Sequence, residues 1–112
     1  MAYDEELAQR IEEVLAAEPG VTSRKMFGGL GFMVDGHMAV AAASAGSLMV
    51  RVDPVAGAEW LDGEHVQTME MQGRSLHGWL LVARDRLVDD DDLRTWVGRG
   101  VTYVRALPPK HA

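Results

Sequence analysis

The sequence predicts a two-layer α+β domain, one antiparallel sheet of about five to six strands flanked by an N-terminal and a C-terminal helix. Three observations predict it. Residues 3–17 and 89–107 carry apolar side chains at helical spacing. The stretch 22–52 breaks into short β runs separated by glycine-bearing turns. Nothing of linker or low-complexity composition divides the 112 residues, so they form a single domain, 1–112.

The first helix shows Leu7, Ile11, Val14 and Leu15 as one apolar stripe, with Glu5, Glu6, Glu12 and Glu13 on other faces. Asp4 suits its N-cap, and Pro19-Gly20 stops it. A β run at 25–27 then leads through Gly28, Gly29 and Gly31 into a second run at 32–34. Asp35-Gly36 follows as a two-residue hairpin, because a type I′ turn needs positive φ at both central positions. Residues 37–43 form the return strand, and the small Ala39 and Ala41 to Ala43 would let a helix approach the sheet closely. Residues 48–52 alternate, with Leu48, Val50 and Val52 on one face and Met49 and Arg51 on the other.

Asp53-Pro54 reads as N-cap and first position of a brief helix ending near Asp62-Gly63. Residues 65–71 read as a weak strand, 73–78 as a loop, and 79–83, Trp-Leu-Leu-Val-Ala, as a strand buried on both faces. The last helix opens on the acids Asp89 to Asp92 and carries its basic residues later, the arrangement the helix dipole favours. Gly98 and Gly100 inside it each cost about 1 kcal/mol relative to alanine, which implies close packing or a kink.

Composition excludes several classes of function. The chain has no cysteine, so disulfides, thiolate metal sites and cysteine nucleophiles are ruled out. No apolar run is long enough to span a bilayer, and the acidic start is unlike a signal peptide; a soluble, cytoplasmic protein with no membrane partner is expected. The net charge of −6 argues against direct nucleic-acid contact. Charge nevertheless alternates along the chain, and Arg24, Lys25, Arg51 and Arg74, with Arg84 and Arg86, all fall in the sheet region. If folding gathered them, they would form a basic face.

A search for reactive groups finds no constellation. Gly28, Gly29 and Gly31 follow Arg24-Lys25, but a phosphate loop needs a helix after the glycines, and here another β run follows. His37, His65, His77 and His111 show no metal-ligand spacing, and Asp89 to Asp92 lack the alternation of a calcium loop. No serine lies in a nucleophile elbow. No catalytic residue, cofactor or metal is therefore assigned. Trp60, Trp79 and Trp96 are expected in the core, and so are the clustered methionines Met26, Met33, Met38, Met49, Met69 and Met71. An adaptable binding surface is the alternative role for those methionines.

The run from Arg24 to Met38, containing Lys25, Met26, Phe27, Gly28, Gly29, Gly31, Asp35 and Gly36, resembles the signature of the TfoX/Sxy N-terminal domain family. So do the segment 48–53, Gly78-Trp79, and the close from Trp96-Val97 to Leu107-Pro108-Pro109-Lys110. The resemblance implies a compact α+β domain with helices at both ends of an antiparallel sheet. It also implies a bacterial regulator of natural competence and transcription, working with a protein partner and without catalysis. Named members carry a further C-terminal helical domain, which a chain ending at Ala112 is expected to lack. Phe27 and the matched glycines would be architectural. Arg51 is the matched polar residue to which a role is assigned, with an ion pair to an acid as the simpler account.

The expected function is thus a non-enzymatic regulatory or interaction domain with a protein partner, and with homodimerisation through an open sheet edge as one form of that contact. A small-ligand or nucleic-acid binder using Arg24, Lys25, Arg51 and Arg74 is the alternative reading. An enzyme with a pocket of convergent polar groups is the third.

Overall fold

The computed structural model describes residues 4–26, 29–43, 46–71 and 73–107. In chain order the elements are α1 (Glu5–Val14), β1 (Val21–Met26), β2 (Gly29–Val34), β3 (His37–Ala42), β4 (Leu48–Arg51), α2 (Pro54–Gly57), β5 (Val66–Met71), β6 (Arg74–Val82) and α3 (Asp90–Arg105). Short 3₁₀ turns lie at Ala58–Trp60 and Arg84–Arg86. The six strands form one antiparallel sheet in the order β1-β2-β3-β4-β6-β5, as the α+β reading anticipates. No helix among the described residues is long and apolar enough to cross a membrane.

All three helices start as the sequence implies. The Asp4 carboxylate accepts the N–H groups of Glu6 at 2.9 Å and Leu7 at 3.2 Å, Asp53 accepts that of Ala56 at 2.9 Å, and Asp89 accepts that of Asp91 at 2.8 Å. Helix α1 ends at Val14, short of the 3–17 span. Its following turn is closed by Leu15 and Glu18 N–H groups donating to Ile11 and Leu15 carbonyls. Asp35 and Gly36 have φ of 51° and 86°, the two positive values of the expected hairpin turn.

Two expectations about β6 are corrected. Residues 73–78 are not a loop, because β6 begins at Arg74 and pairs with β5 from Met71 onward. Gly73 at φ 77° turns the chain at once, and Gly78 at φ 93° absorbs the irregularity between Thr68 and Met69 in the β5–β6 pairing. Ladder hydrogen bonds thus carry the strand through a composition that reads as a turn. Nor is the later half of β6 buried on both faces: Leu80 and Val82 are buried, whereas Trp79 and Leu81 are only half-buried.

Register explains this alternation. Lys25, Leu30, Ala42, Leu48, Val82 and Val66 stand opposite one another across the six strands. The next row on the same face is Ser23, Phe32, Val40, Val50, Leu80 and Thr68. The apolar members between the edge strands join Leu7, Ile11 and Leu15 of α1 and its following turn, and Leu93, Trp96, Val97 and Val104 of α3, in one core. A bulge beside Phe32 turns both Ala39 and Val40 into that core.

Helix α3 crosses β3 closely, as the small residues there suggest. A methyl group on Gly100 would come within 2.5 Å of the Ala39 carbonyl oxygen, so close packing accounts for this glycine. Gly98 faces open space instead. At its far end, Arg105 donates to Glu18 at 2.9 Å, to the Pro19 carbonyl at 3.0 Å and to Asp35 at 3.2 Å. One guanidinium thereby joins α3 to the two turns that bracket β1 and β2.

Candidate functional site

The structure does not gather the four basic residues into one cluster. Arg24 and Lys25 are neighbours on edge strand β1 and so point to opposite faces of the sheet. Arg51 lies on β4, three strand spacings from β1, or about 14 Å. Arg74 starts β6 opposite Met71, at the β5–β6 hairpin. Among the residues of the glycine motif, Met26 ends β1, while Gly29 and Gly31 lie within β2. A Cβ on Gly29 would press on the Ala42 carbonyl oxygen at 2.5 Å, an architectural reason for that glycine. Phe27 and Gly28 fall outside the described residues.

No acid pairs with Arg51 among the described residues. Its guanidinium lies 5.7 Å from the ring centroid of Trp79, its cross-strand partner, and 5.8 Å from that of Tyr103 on α3. The simpler account of Arg51 from the sequence is an ion pair with an acid, but the register sets Trp79 opposite it. Cation–π contact takes the place of a salt bridge.

Among the described residues, the helices pack on the core side of the sheet, and α3 reaches the opposite side only at the Arg51 end, through Tyr103. The central row of that opposite side runs Arg24, Gly31, Ala41, Met49, Leu81 and Gln67 across the six strands, and Met33, Met38, Arg51 and Trp79 lie beside it. Ala41 and Met49 are 4% and 7% exposed yet stand outside the core cluster, since they lie on this second face. The expectation that the methionines fill the core holds for Met49, which is buried, and is overturned for Met33, Met38 and Met69, which are only partly buried. The main core cluster is filled instead by aliphatic residues with Phe32 and Trp96. Trp79 likewise leaves the core for this face, whereas Trp96 is buried and Trp60 packs against the core's edge. Strand parity could have shown this: Met33 and Met49 alternate with Phe32 and Val50.

A second feature lies on the core side, between α3 and the segment from α2 to Trp60. It is a groove of about 550 Å³ with mostly apolar walls, formed by Val52, Ala56 and Trp60 on one side and Gly98, Thr102 and Tyr103 on the other. Arg99 lies within it, its guanidinium 4.3 Å from the Trp60 ring centroid and 4.5 Å from that of Trp96. The two rings meet edge to face at 6.1 Å and 83°. Sequence reasoning missed this group. The i, i+3 spacing of Trp96 and Arg99 was its one visible half, and Trp60 arrives from a remote segment.

Titratable groups elsewhere serve the fold. The Asp62 carboxylate accepts the N–H groups of Val66 at 2.8 Å, Glu64 at 2.8 Å and His65 at 2.6 Å, and pairs with Arg86 at 3.3 Å. The Val66 and Glu64 bonds lead in lowering its pKa from 3.8 to about 2, against an opposing effect of partial burial. With the folded value depressed, the stabilising contribution is complete above 3.8 and fades as pH falls toward 2. Carbon-detected titration should place the Asp62 midpoint near 2, with the Glu64, His65 and Val66 amide signals moving together; a midpoint near 3.8 would show that this turn does not hold the carboxylate.

His65 Nδ1 lies 3.0 Å from the Asp85 carboxylate, but no serine or threonine hydroxyl bonds to the ring among the described residues. No group of three potential metal ligands occurs among them either.

The model of the TfoX N-terminal domain matches residues 13–103, most of the chain. No curated protein and no solved structure matches.

Proposed function

This chain belongs to the TfoX N-terminal domain family, and on that premise we propose that it is a non-catalytic regulatory domain that docks a partner protein on the open face of its sheet. The observation that carries the reading is the placement of the partly exposed Met33, Met38, Trp79 and Leu81 together on the face turned away from the core, over the buried Ala41 and Met49. Methionine adapts its three rotatable bonds to a partner's contour, and tryptophan supplies a large contact area. Arg24 at one side and Arg51 beside Trp79 add a basic rim suited to a partner whose apolar contact is bordered by acids. The wide separation of Arg24, Arg51 and Arg74 supports a protein rather than a nucleic-acid partner. Regulation of the competence and transcription type, in a bacterial cytoplasm, is the setting this reading gives the domain.

Affinity capture with wild type and Leu81→Lys side by side tests it. Leu81 is half-buried at the middle of the open face, so a lysine there charges the surface while leaving the core intact. The variant is expected to lose a specific partner by about 30-fold or more in affinity. Sedimentation of the isolated protein shows whether the partner is a second copy, as a dimer that Leu81→Lys dissolves. Equal capture by both forms, with a monomer in each, would overturn the reading.

A further inference from the structure

We propose that the groove between α3 and the α2–Trp60 segment binds a small organic anion, a carboxylate carried on a flat apolar body, with Arg99 as its anchor. Four other arginines have an acidic partner: Arg10 with Asp90, Arg86 with Asp62, Arg94 with Asp91, and Arg105 with Glu18 and Asp35. Arg99 has none among the described residues and instead lies against the Trp60 and Trp96 rings. The two rings hold the guanidinium in place by cation–π contact, and its N–H donors have no acidic acceptor among the described residues, so they are available to a carboxylate. Fixed between two rings, it loses little further freedom when a ligand arrives.

The remaining walls suit the rest of such a molecule. Gly98 contributes no side chain, and Val52, Ala56 and the Trp60 and Tyr103 rings offer apolar surface. The groove's roughly 550 Å³ lies within the span of small-molecule sites. Asp53 is the acid on its rim, and its carboxylate is committed to the Ala56 N–H at 2.9 Å. Arg94 at the other end is already paired with Asp91, so Arg99 is the cation in the groove without an acidic partner among the described residues. The groove adjoins the open face only through the Arg51–Tyr103 contact, and Arg99 and Leu81, the residues tested at each site, lie apart on α3 and β6.

Naphthoate and uncharged naphthalenemethanol serve as matched probes, with binding followed through the indole N–H signals of the three tryptophans. Naphthoate is expected to shift the Trp60 and Trp96 signals saturably while Trp79 stays in place. It should bind about tenfold more tightly than naphthalenemethanol. Arg99→Met should remove that preference and Arg99→Lys retain part of it. Thr102→Trp, at an exposed position of α3 lining the groove, should weaken both probes while Arg99 is unchanged. No saturable shift at Trp60 and Trp96, equal binding of the two probes by wild type, or undiminished naphthoate binding to a folded Arg99→Met protein would each overturn the proposal.

Discussion

Phe32→Ala is expected to lower the unfolding free energy by about 3–5 kcal/mol, far more than a substitution on the protein surface would. Phe32 is 1% exposed and stands opposite Ser23 on β1 and Val40 on β3, where the sheet meets the helices. Its removal leaves a cavity that those backbones cannot close, because the Phe32–Met33 irregularity already fixes the local register. Against a total of about 5–15 kcal/mol for a domain of this kind, the loss would bring the protein near its folding threshold. Urea titration measures it as a fall in midpoint at constant slope. A loss below about 1.5 kcal/mol would mean that the core repacks far more freely than this close-packed arrangement permits.

The two α3 glycines should respond to alanine with opposite signs. Each replacement gains about 1 kcal/mol in helix propensity. At Gly98 nothing lies within 4 Å of the added methyl, so the gain should appear as increased stability. At Gly100 the methyl would meet the Ala39 carbonyl oxygen at 2.5 Å and Val40 Cγ1 at 3.0 Å. Backbone cannot yield as a flexible side chain does, and overpacking of about 1–3 kcal/mol should exceed the propensity gain. Thermal unfolding of the two variants compares them directly; the same sign in both would contradict the close crossing of α3 over β3.

The architecture was legible where short-range chemistry decides it. Asp4, Asp53 and Asp89 each cap the helix expected of them, and Asp35-Gly36 makes its turn because neighbouring residues alone set those geometries. The start of β6 was not legible. Ser75, His77 and Gly78 are weak strand formers; Ser75 is drawn into the sheet by pairing with Glu70 of β5, and Gly78 is held from the other side, its carbonyl accepting the Val52 N–H at 2.8 Å. The open face was half legible, since parity separates Met49 from Val50, but parity alone does not say which face the helices cover. Arg51 with Trp79 required the β4–β6 register, and Trp60 with Arg99 required α2 to come beside α3. Both are long-range events that no local pattern encodes. The family resemblance reached the fold and stopped short of either surface, because the glycines that carry it are architectural.

The open face as docking surface is the claim on which the functional account rests, and methyl-labelled methionine in an NMR titration with the captured partner tests it most directly. Docking predicts that the Met33 and Met38 methyl signals shift or broaden as partner is added, while the Trp60 and Trp96 indole signals keep their positions. Met33 and Met38 signals that stay unmoved at saturating partner would contradict it.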